Sequence, residues 1–435
     1  MITFAISTLG CPKNLVDSEN MTDRLLNDGY CVTDSIDKAD VLILNTCGFI
    51  DKAKEESVQK ILEYVELKKL RPFRLAVVGC LVQRYKDALC AQIPDVDIWL
   101  GINEIFQLSD KIKHCFPKKK LIKPEYPRNE WETKLTPQQY TYLKIAEGCN
   151  HRCSFCVIPQ IRGNYMSRSM DEIISDARYA SEKGAKEICL VAQDTSNYGR
   201  DLNPPFRLSD LIRGLEKIDH IRWIRLMYLY PDRIDDELID TIASSNKVCK
   251  YLDIPFQHLS TKILKSMFRS QTNESIFELV GKLRKKIPDL FIRTSFIVGY
   301  PGETSEDFDI LYNGINELKF ERLGVFIFSP EEGTFAEKLK PRVSKKQAHQ
   351  RFNDIMSLQR NISFYNHNSI IGKNIEIMID DICDDGKIIG RSQWDAPEID
   401  CNVIIKNDGK THSAGDFLNV NISSAYEYDL EGTII

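Results

Sequence analysis

Tyr142-Leu143-Lys144-Ile145-Ala146-Glu147-Gly148-Cys149-Asn150-His151-Arg152-Cys153-Ser154-Phe155-Cys156 begins as a strand and ends as a cysteine hook. Tyr142–Ala146 reads as a short buried strand, and the cysteines follow it with C-x3-C-x2-C spacing. Three thiolates on one tight loop are soft ligands that suit an iron–sulfur cluster. They leave one iron of a four-iron cube without a protein ligand. An open iron is a place for chemistry, whereas a fully ligated cluster would only carry electrons. The alternative is a structural zinc site with His151 as fourth ligand. Zinc sites usually pair a short hook with a second hook elsewhere, and His151 lies between two of the ligands it would have to join. Iron–sulfur is the preferred reading.

Outward from this loop, strand and helix patterns alternate over residues 139–367. Candidate strands are Tyr142–Ala146, Glu187–Ala192, Trp223–Tyr228, Tyr251–Pro255, Ile292–Val298 and Leu323–Phe328, with helical patterns such as Met170–Lys183 and Ser275–Lys286 between them. Six such units predict an incomplete (β/α)6 barrel whose functional loops follow the strands. The cysteine loop follows the first strand.

Residues 1–117 alternate in the same way, with strands Ile2–Ser7, Val41–Asn45, Leu75–Val78 and Asp97–Leu100 and helices Val16–Asn27, Asp51–Leu70 and Leu81–Gln92. This predicts a doubly wound parallel α/β domain. Cys11, Cys47 and Cys80 each fall just past a strand, at the edge where open α/β sheets bind ligands. Scattered cysteines are usually core residues, but the shared position raises the case for ligation. So do the adjoining Gly10, Gly48 and Gly79, which allow close backbone approach. Cys31, Cys90 and Cys115 read as small buried hydrophobes. Residues 118–138 carry Lys118-Lys119-Lys120 and three prolines and read as a linker with a solvated charge run. In residues 368–435 five short strand patterns predict a small antiparallel β-barrel of oligonucleotide-fold size.

The chain has 435 residues, enough for two or three domains, and carries a net charge of −5. From Ser369 onward 5 Lys/Arg face 13 Asp/Glu, a net of −8, which leaves +3 on the remainder. An acidic module binds phosphate poorly and suits a basic protein partner. Thirteen cysteines in a chain this long point to metal ligation rather than to a disulfide scaffold. No run of about 18 apolar residues occurs, so no membrane span is expected. The N-terminus lacks the basic region of a signal peptide, and a cytoplasmic location is expected.

The C-x3-C-x2-C loop resembles that of the radical S-adenosylmethionine superfamily. The resemblance implies that S-adenosylmethionine chelates the open iron at Cys149, Cys153 and Cys156 and is cleaved to a 5′-deoxyadenosyl radical, with Phe155 against the adenine. Together with Cys11, Cys47 and Cys80, the whole chain resembles the methylthiotransferase family: a cluster domain, a radical domain and a TRAM barrel. This implies two 4Fe–4S clusters, the first on Cys11, Cys47 and Cys80. Four stretches are similar to the RimO branch, which acts on an aspartate β-carbon of small-subunit ribosomal protein twelve. They are Gly10–Asn14, Gln193–Gly199, Ser329–Thr334 and, most specific, Arg391-Ser392-Gln393-Trp394-Asp395-Ala396-Pro397-Glu398-Ile399-Asp400. That branch commonly places Gly after the last run, where this chain has Cys401, so a turn requiring positive φ would have to differ here. Cys383 and Cys401 read as packing or surface thiols.

A tRNA-modifying methylthiotransferase of the same chemistry is the alternative within the family, disfavoured by the acidic barrel. A zinc-binding RNA module is the alternative outside it. A low-potential donor such as flavodoxin or ferredoxin is the expected electron source. Gln193 and Asp194, ending the second barrel strand, are candidates for contact with S-adenosylmethionine, or a simple turn. Gly299, Gly302 and Glu303, ending the fifth, would line its ribose or form a tight turn. His258, after the fourth, is a candidate substrate contact.

Overall fold

The computed structural model describes residues 1–121 and 134–435. They form two compact units, one of residues 1–136 with 147–151 and 156–166, the other of residues 137–146, 152–155 and 167–435. The centre of the expected linker, residues 122–133, lies outside the described residues.

The first unit is built on β1 (Thr3–Thr8), α1 (Pro12–Asn27), β2 (Cys31–Val32), β3 (Val41–Thr46), α2 (Asp51–Leu70), β4 (Arg74–Gly79), α3 (Cys80–Gln92), β5 (Ile98–Leu100) and α4 (Leu108–Cys115). The sheet is parallel throughout, in the order β2-β1-β3-β4-β5. Both faces are covered, so its strands are continuous apolar runs rather than alternating ones. Leu42, Leu44, Leu75 and Val77 pack under Ile61, Tyr64 and Val65 of α2 and Leu81 and Leu89 of α3. Val41, Ile43, Ala76 and Val78 face Met21 and Leu25 of α1 and Ile112 of α4. Helix α1 starts four residues before the expected Val16. Pro12 occupies its first turn after an extended Cys11, and its fixed φ suits that position. The two-residue β2 is too short to leave a pattern in the sequence. In the lysine triplet, Lys119 pairs with Asp40 at 2.7 Å rather than standing free in solvent.

The second unit begins with β6 (Tyr140–Lys144). Next along the chain are β7 (Ala146–Glu147) and β8 (Met166–Ser167), each divided between the units, and between them α5 (Ile158–Arg162), which belongs to the first unit. Then follow α6 (Met170–Glu182), β9 (Glu187–Val191), α7 (Leu208–Leu215), β10 (Trp223–Leu226), α8 (Asp236–Ser244), β11 (Val248–Asp253), α9 (Thr261–Ser266), α10 (Asn273–Lys286), β12 (Phe291–Val298), α11 (Ser305–Leu318) and β13 (Arg322–Ile327). The six strands lie in sequence order, β6-β9-β10-β11-β12-β13, all parallel, and the sheet is not closed. That is the expected incomplete barrel.

The long α12 (Lys345–Asn368) leads into a closed barrel of β14 (Asn374–Ile382), β15 (Lys387–Ser392), β16 (Val403–Lys406), β17 (Phe417–Ala425) and β18 (Leu430–Ile434). One ladder departs from the expected antiparallel pattern: β16 and β18 pair in parallel, because β17 pairs with both β14 and β18 and the closure falls to β16.

The run after β15 is a joint inside this unit rather than an exposed surface. It packs near the amino ends of the six parallel strands. Trp394 stacks on Phe291 with ring centroids 4.7 Å apart. Arg225 donates to the Gln393 carbonyl at 2.8 Å, Tyr140 to Glu398 at 2.8 Å and Tyr251 to Asp400 at 2.8 Å. Arg322 meets Asp395 at 2.5 Å with both side chains buried. Glu187, at the start of β9, lies between Arg225 (2.6 Å) and Arg391, and these two guanidiniums hold its carboxyl below the usual range although burial alone would raise it. The positive φ in this run falls on Glu398, at 64°, and Cys401 is not among the residues with positive φ. Cysteine at this position therefore costs no backbone strain, and the turn that would need glycine does not form here. Cys401 is buried beside His367.

Candidate functional site

The order β2-β1-β3-β4-β5 reverses direction between β1 and β3, and such a switch point opens a crevice at the carboxyl ends of the strands. Cys11 follows β1 there, Cys47 follows β3, and Cys80 is the first residue of α3 directly after β4. The backbone brings them together closely. Gly10 has φ +99°, and a Cβ on it would lie 2.8 Å from Cys47 Cβ and 3.0 Å from its Sγ. A Cβ on Gly48 would lie 2.7 Å from Leu81 Cα and 3.0 Å from the Cys80 carbonyl carbon. Larger residues would push the three loops apart.

Asn14 stitches these loops. It is buried, donates to the Leu9 carbonyl at 2.9 Å and the Thr46 carbonyl at 3.3 Å, and offers its Oδ1 to Cys80 at 3.6 Å. Ser57 of α2 bonds both the N–H and the carbonyl of Cys47. Burial pushes the Cys80 thiol up to about 11, and the Cys47 thiol is raised for the same reason. An adjacent Arg162 opposes both shifts. Ligation would have to supply the deprotonation, which couples cluster binding to proton release.

Among the described residues no group of three His, Cys, Asp or Glu side chains is arranged to hold a single metal ion. A four-iron cube places each ligating sulfur on a different iron, so its three ligands do not have to converge on one point. Three thiols on adjoining loops, with glycines where the backbones meet, fit such a cluster.

The second set lies on the loop after β6 and β7. In the first unit, the Cys149 N–H donates to the Gly163 carbonyl at 3.1 Å and the Tyr165 N–H to Asn150 at 3.0 Å. Gly148 has φ +75° and lies against the Asn164 carbonyl, leaving no room for a side chain. In the second unit, Ser154 is fixed at three atoms. Its N–H donates to Met267, its carbonyl accepts from Ala336, and its hydroxyl lies 2.7 Å from the Tyr300 hydroxyl. Because Tyr300 donates to the Ser266 carbonyl, Ser154 is the donor in the hydroxyl pair. Phe155 packs against Ile263, Met267, Ile297 and Tyr300. Arg269 is buried, with its guanidinium 4.4 Å from the Tyr230 ring centre and 4.0 Å from Cys153 Sγ.

The other predicted residues divide into two groups. Asp194 is buried and accepts from Ser196 at 2.6 Å, and the neighbouring Gln193 is half-buried. Gly299 and Gly302 both have positive φ, and the Gly299 N–H donates to Glu303. Glu303 also meets Arg351 at 3.1 Å and faces His258 Nε2 at 3.6 Å. His258 has 0% exposure, and its Nδ1 accepts from the Ser260 N–H. The structure thus gathers His258, Glu303 and Gly299 into one buried network that braces the turn after β12, while Gln193 and Asp194 sit on the loop after β9. Asn14, Tyr300, Arg162 and Arg269 matter to these sites beyond what a sequence pattern reveals. Buried polar residues without a periodic context leave no signal. Tyr228 and Gln257, after β10 and β11, have φ of +59° and +72°, a conformation uncommon outside glycine that clusters at functional sites.

Residues 3–101 match the family described as "Uncharacterized protein family UPF0004", residues 143–313 the radical SAM superfamily and residues 371–435 the TRAM domain. Similar proteins include three described as "Ribosomal protein uS12 methylthiotransferase RimO". The one from Caldanaerobacter subterraneus is 45% identical over 99% of this chain and 100% of its own length. That from Geobacter sulfurreducens is 42% identical over 98% and 97%. That from Clostridioides difficile is 41% identical over 100% and 99%. Among solved structures, the radical S-adenosylmethionine methyltransferase TsrM from Kitasatospora setae matches with a TM-score of 0.58 at 13% identity, over 82% of this chain and 89% of that one. The likeness to TsrM is one of fold. Among the described residues no helix is long and apolar enough to cross a membrane.

Proposed function

The chain belongs to the family of ribosomal protein uS12 methylthiotransferases, and from that membership we propose that it inserts a methylthio group at the β-carbon of an aspartate in small-subunit ribosomal protein twelve. It is a radical S-adenosylmethionine enzyme, which implies a 4Fe–4S cluster and S-adenosylmethionine. In our reading Cys149, Cys153 and Cys156 hold that cluster, and Cys11, Cys47 and Cys80 hold a second one. When bound, the first supplies the electron that cleaves S-adenosylmethionine to a hydrogen-abstracting radical, and the second presents the sulfur to be inserted.

The chain's own residues order these parts. Ser154 and Tyr300 fix the middle of the cysteine loop. Phe155, Gln193, Asp194 and the Gly299–Gly302 turn offer apolar surface, polar groups and backbone to S-adenosylmethionine at the carboxyl ends of the strands. Glu303 and His258 act through that turn, being buried behind it. The observation that carries the two-cluster reading is the meeting of Cys11, Cys47 and Cys80 at the switch point.

Substrate choice rests on the relatives more than on charge. Of the 13 acids after Ser369, Glu376 meets Arg222 just before β10, Asp395 meets Arg322 of β13, Asp400 meets Arg293 of β12, and Asp380 meets Arg391. Seven exposed carboxylates against four exposed lysines leave −3 facing solvent rather than −8. That remains unsuited to a phosphate backbone, but it is a weaker argument against tRNA than the whole count suggests.

The test is anaerobic reconstitution, incubation with S-adenosylmethionine and a low-potential reductant such as reduced flavodoxin, and mass spectrometry of both candidate substrates. The expected result is a methylthio group on the ribosomal protein and none on tRNA nucleosides. Methylthiolated tRNA with an unmodified ribosomal protein would contradict the proposal.

A further inference from the structure

Arg162, the last residue of α5, is buried in the first unit with its side chain 2% exposed. Nη1 lies 3.0 Å from each oxygen of Glu147. Nη2 lies 2.7 Å from Asn14 Oδ1, 2.9 Å from Asp17 and 3.5 Å from Cys80 Sγ. Val157 and Ile161 pack with Cys80, so the short helix is seated against the start of α3 and its guanidinium is aimed by apolar contact. A buried arginine needs one carboxylate for neutrality. This one has two, together with an amide oxygen and a sulfur. Only a planar fork of five N–H donors reaches all of them, and a lysine cannot.

We propose that Arg162 is a positioning residue that raises the reduction potential of the cluster held by Cys11, Cys47 and Cys80. The proposal rests on the two-cluster reading above. One-electron reduction adds a negative charge to the cluster. An N–H donated to a ligand sulfur, and a fixed positive charge beside it, stabilise that charge, and both are levers by which proteins set cluster potentials. Glu147 on Nη1 and Asp17 beside Cys80 on Nη2 fix the direction of the guanidinium. The same fork holds Glu147, two residues before Cys149, so the segment leading into the second cysteine set is tied to the residue that donates to Cys80.

The test uses the full chain with Cys149, Cys153 and Cys156 all changed to Ala, so that only the first cluster is read. After anaerobic reconstitution, iron and sulfide are counted and the cluster is titrated potentiometrically with Arg162 intact, with R162K and with R162M. About four irons per chain are expected in the parent. The midpoint should move to more negative potential in R162M, where charge and donor are both lost, and by less in R162K, where charge remains. If R162M fails to retain iron, R162K decides, since it keeps a positive charge beside Glu147 and Asp17. Variants that hold iron and titrate at the parent's potential would overturn the role of Arg162 and leave the two-cluster reading standing. A parent that binds no iron would overturn the two-cluster reading and this role with it.

Discussion

The two cysteine sets solve one ligation problem in opposite ways. Cys149, Cys153 and Cys156 lie within eight residues of one loop, so covalent connection does most of the ordering. Cys11, Cys47 and Cys80 are spread over seventy residues, and only the parallel pairing of β1, β3 and β4 brings them to one edge. The first arrangement is local and the second is a property of the fold. The local set should tolerate damage to the core, whereas the scattered set should feel every change that moves a strand end.

The largest expected effect separates the two chemically. C153A should abolish 5′-deoxyadenosine formation. C47A should retain it while losing methylthiolated product, with both read by chromatography of one reaction. Product from C153A would break the assignment of the loop to radical formation.

A control in the joint near the amino ends of the six strands should cost stability alone. D395A leaves Arg322 buried and unpaired, at about 3–5 kcal/mol in urea unfolding. At temperatures where the variant is folded, its iron content should equal that of the wild type.

The pH dependence belongs to the unit with the scattered set. Burial raises Glu19 of α1 to about 7 from 4.5, against the pull of the Leu135 N–H. A carboxyl raised in the folded state stabilises the fold below pH 4.5, and that contribution is lost as pH rises through about 7. E19Q should therefore be more stable than the wild type at pH 8, by about 3 kcal/mol, with no advantage at pH 4. Equal melting curves for the two proteins at pH 8 would exclude this.

N14A removes the stitch between β1, β3 and Cys80, for about 1–3 kcal/mol from unsatisfied buried groups. Iron occupancy of the scattered set, measured without Cys149, Cys153 and Cys156, should fall. Y300F, the counterpart at the local set, loses two hydrogen bonds, with Ser154 and with the Ser266 carbonyl, at about 2 kcal/mol and should leave iron at that loop unchanged. A larger iron loss from Y300F than from N14A would reverse the comparison.

How much could be read in advance follows the same division. The contiguous hook and the six strand periods are local, and they named the barrel and its loop. The scattered set needed one more step, the inference that cysteines after successive parallel strands converge. Periodicity could not place Arg162, because its role comes from α5 sitting on α3. Charge counting misjudged the acidic barrel, because composition does not show that Asp395 and Asp400 are turned inward to arginines. His258 looked like a loop residue from its position after β11, yet it lies wholly buried behind the Gly299 turn.

Iron and sulfide per chain after anaerobic reconstitution test the central claim most directly, in the wild type, in C149A/C153A/C156A and in C11A/C47A/C80A. Two independent clusters predict about eight irons in the first protein and about four in each of the others. About four irons in the wild type, all retained in C11A/C47A/C80A, would show that the scattered cysteines hold no cluster.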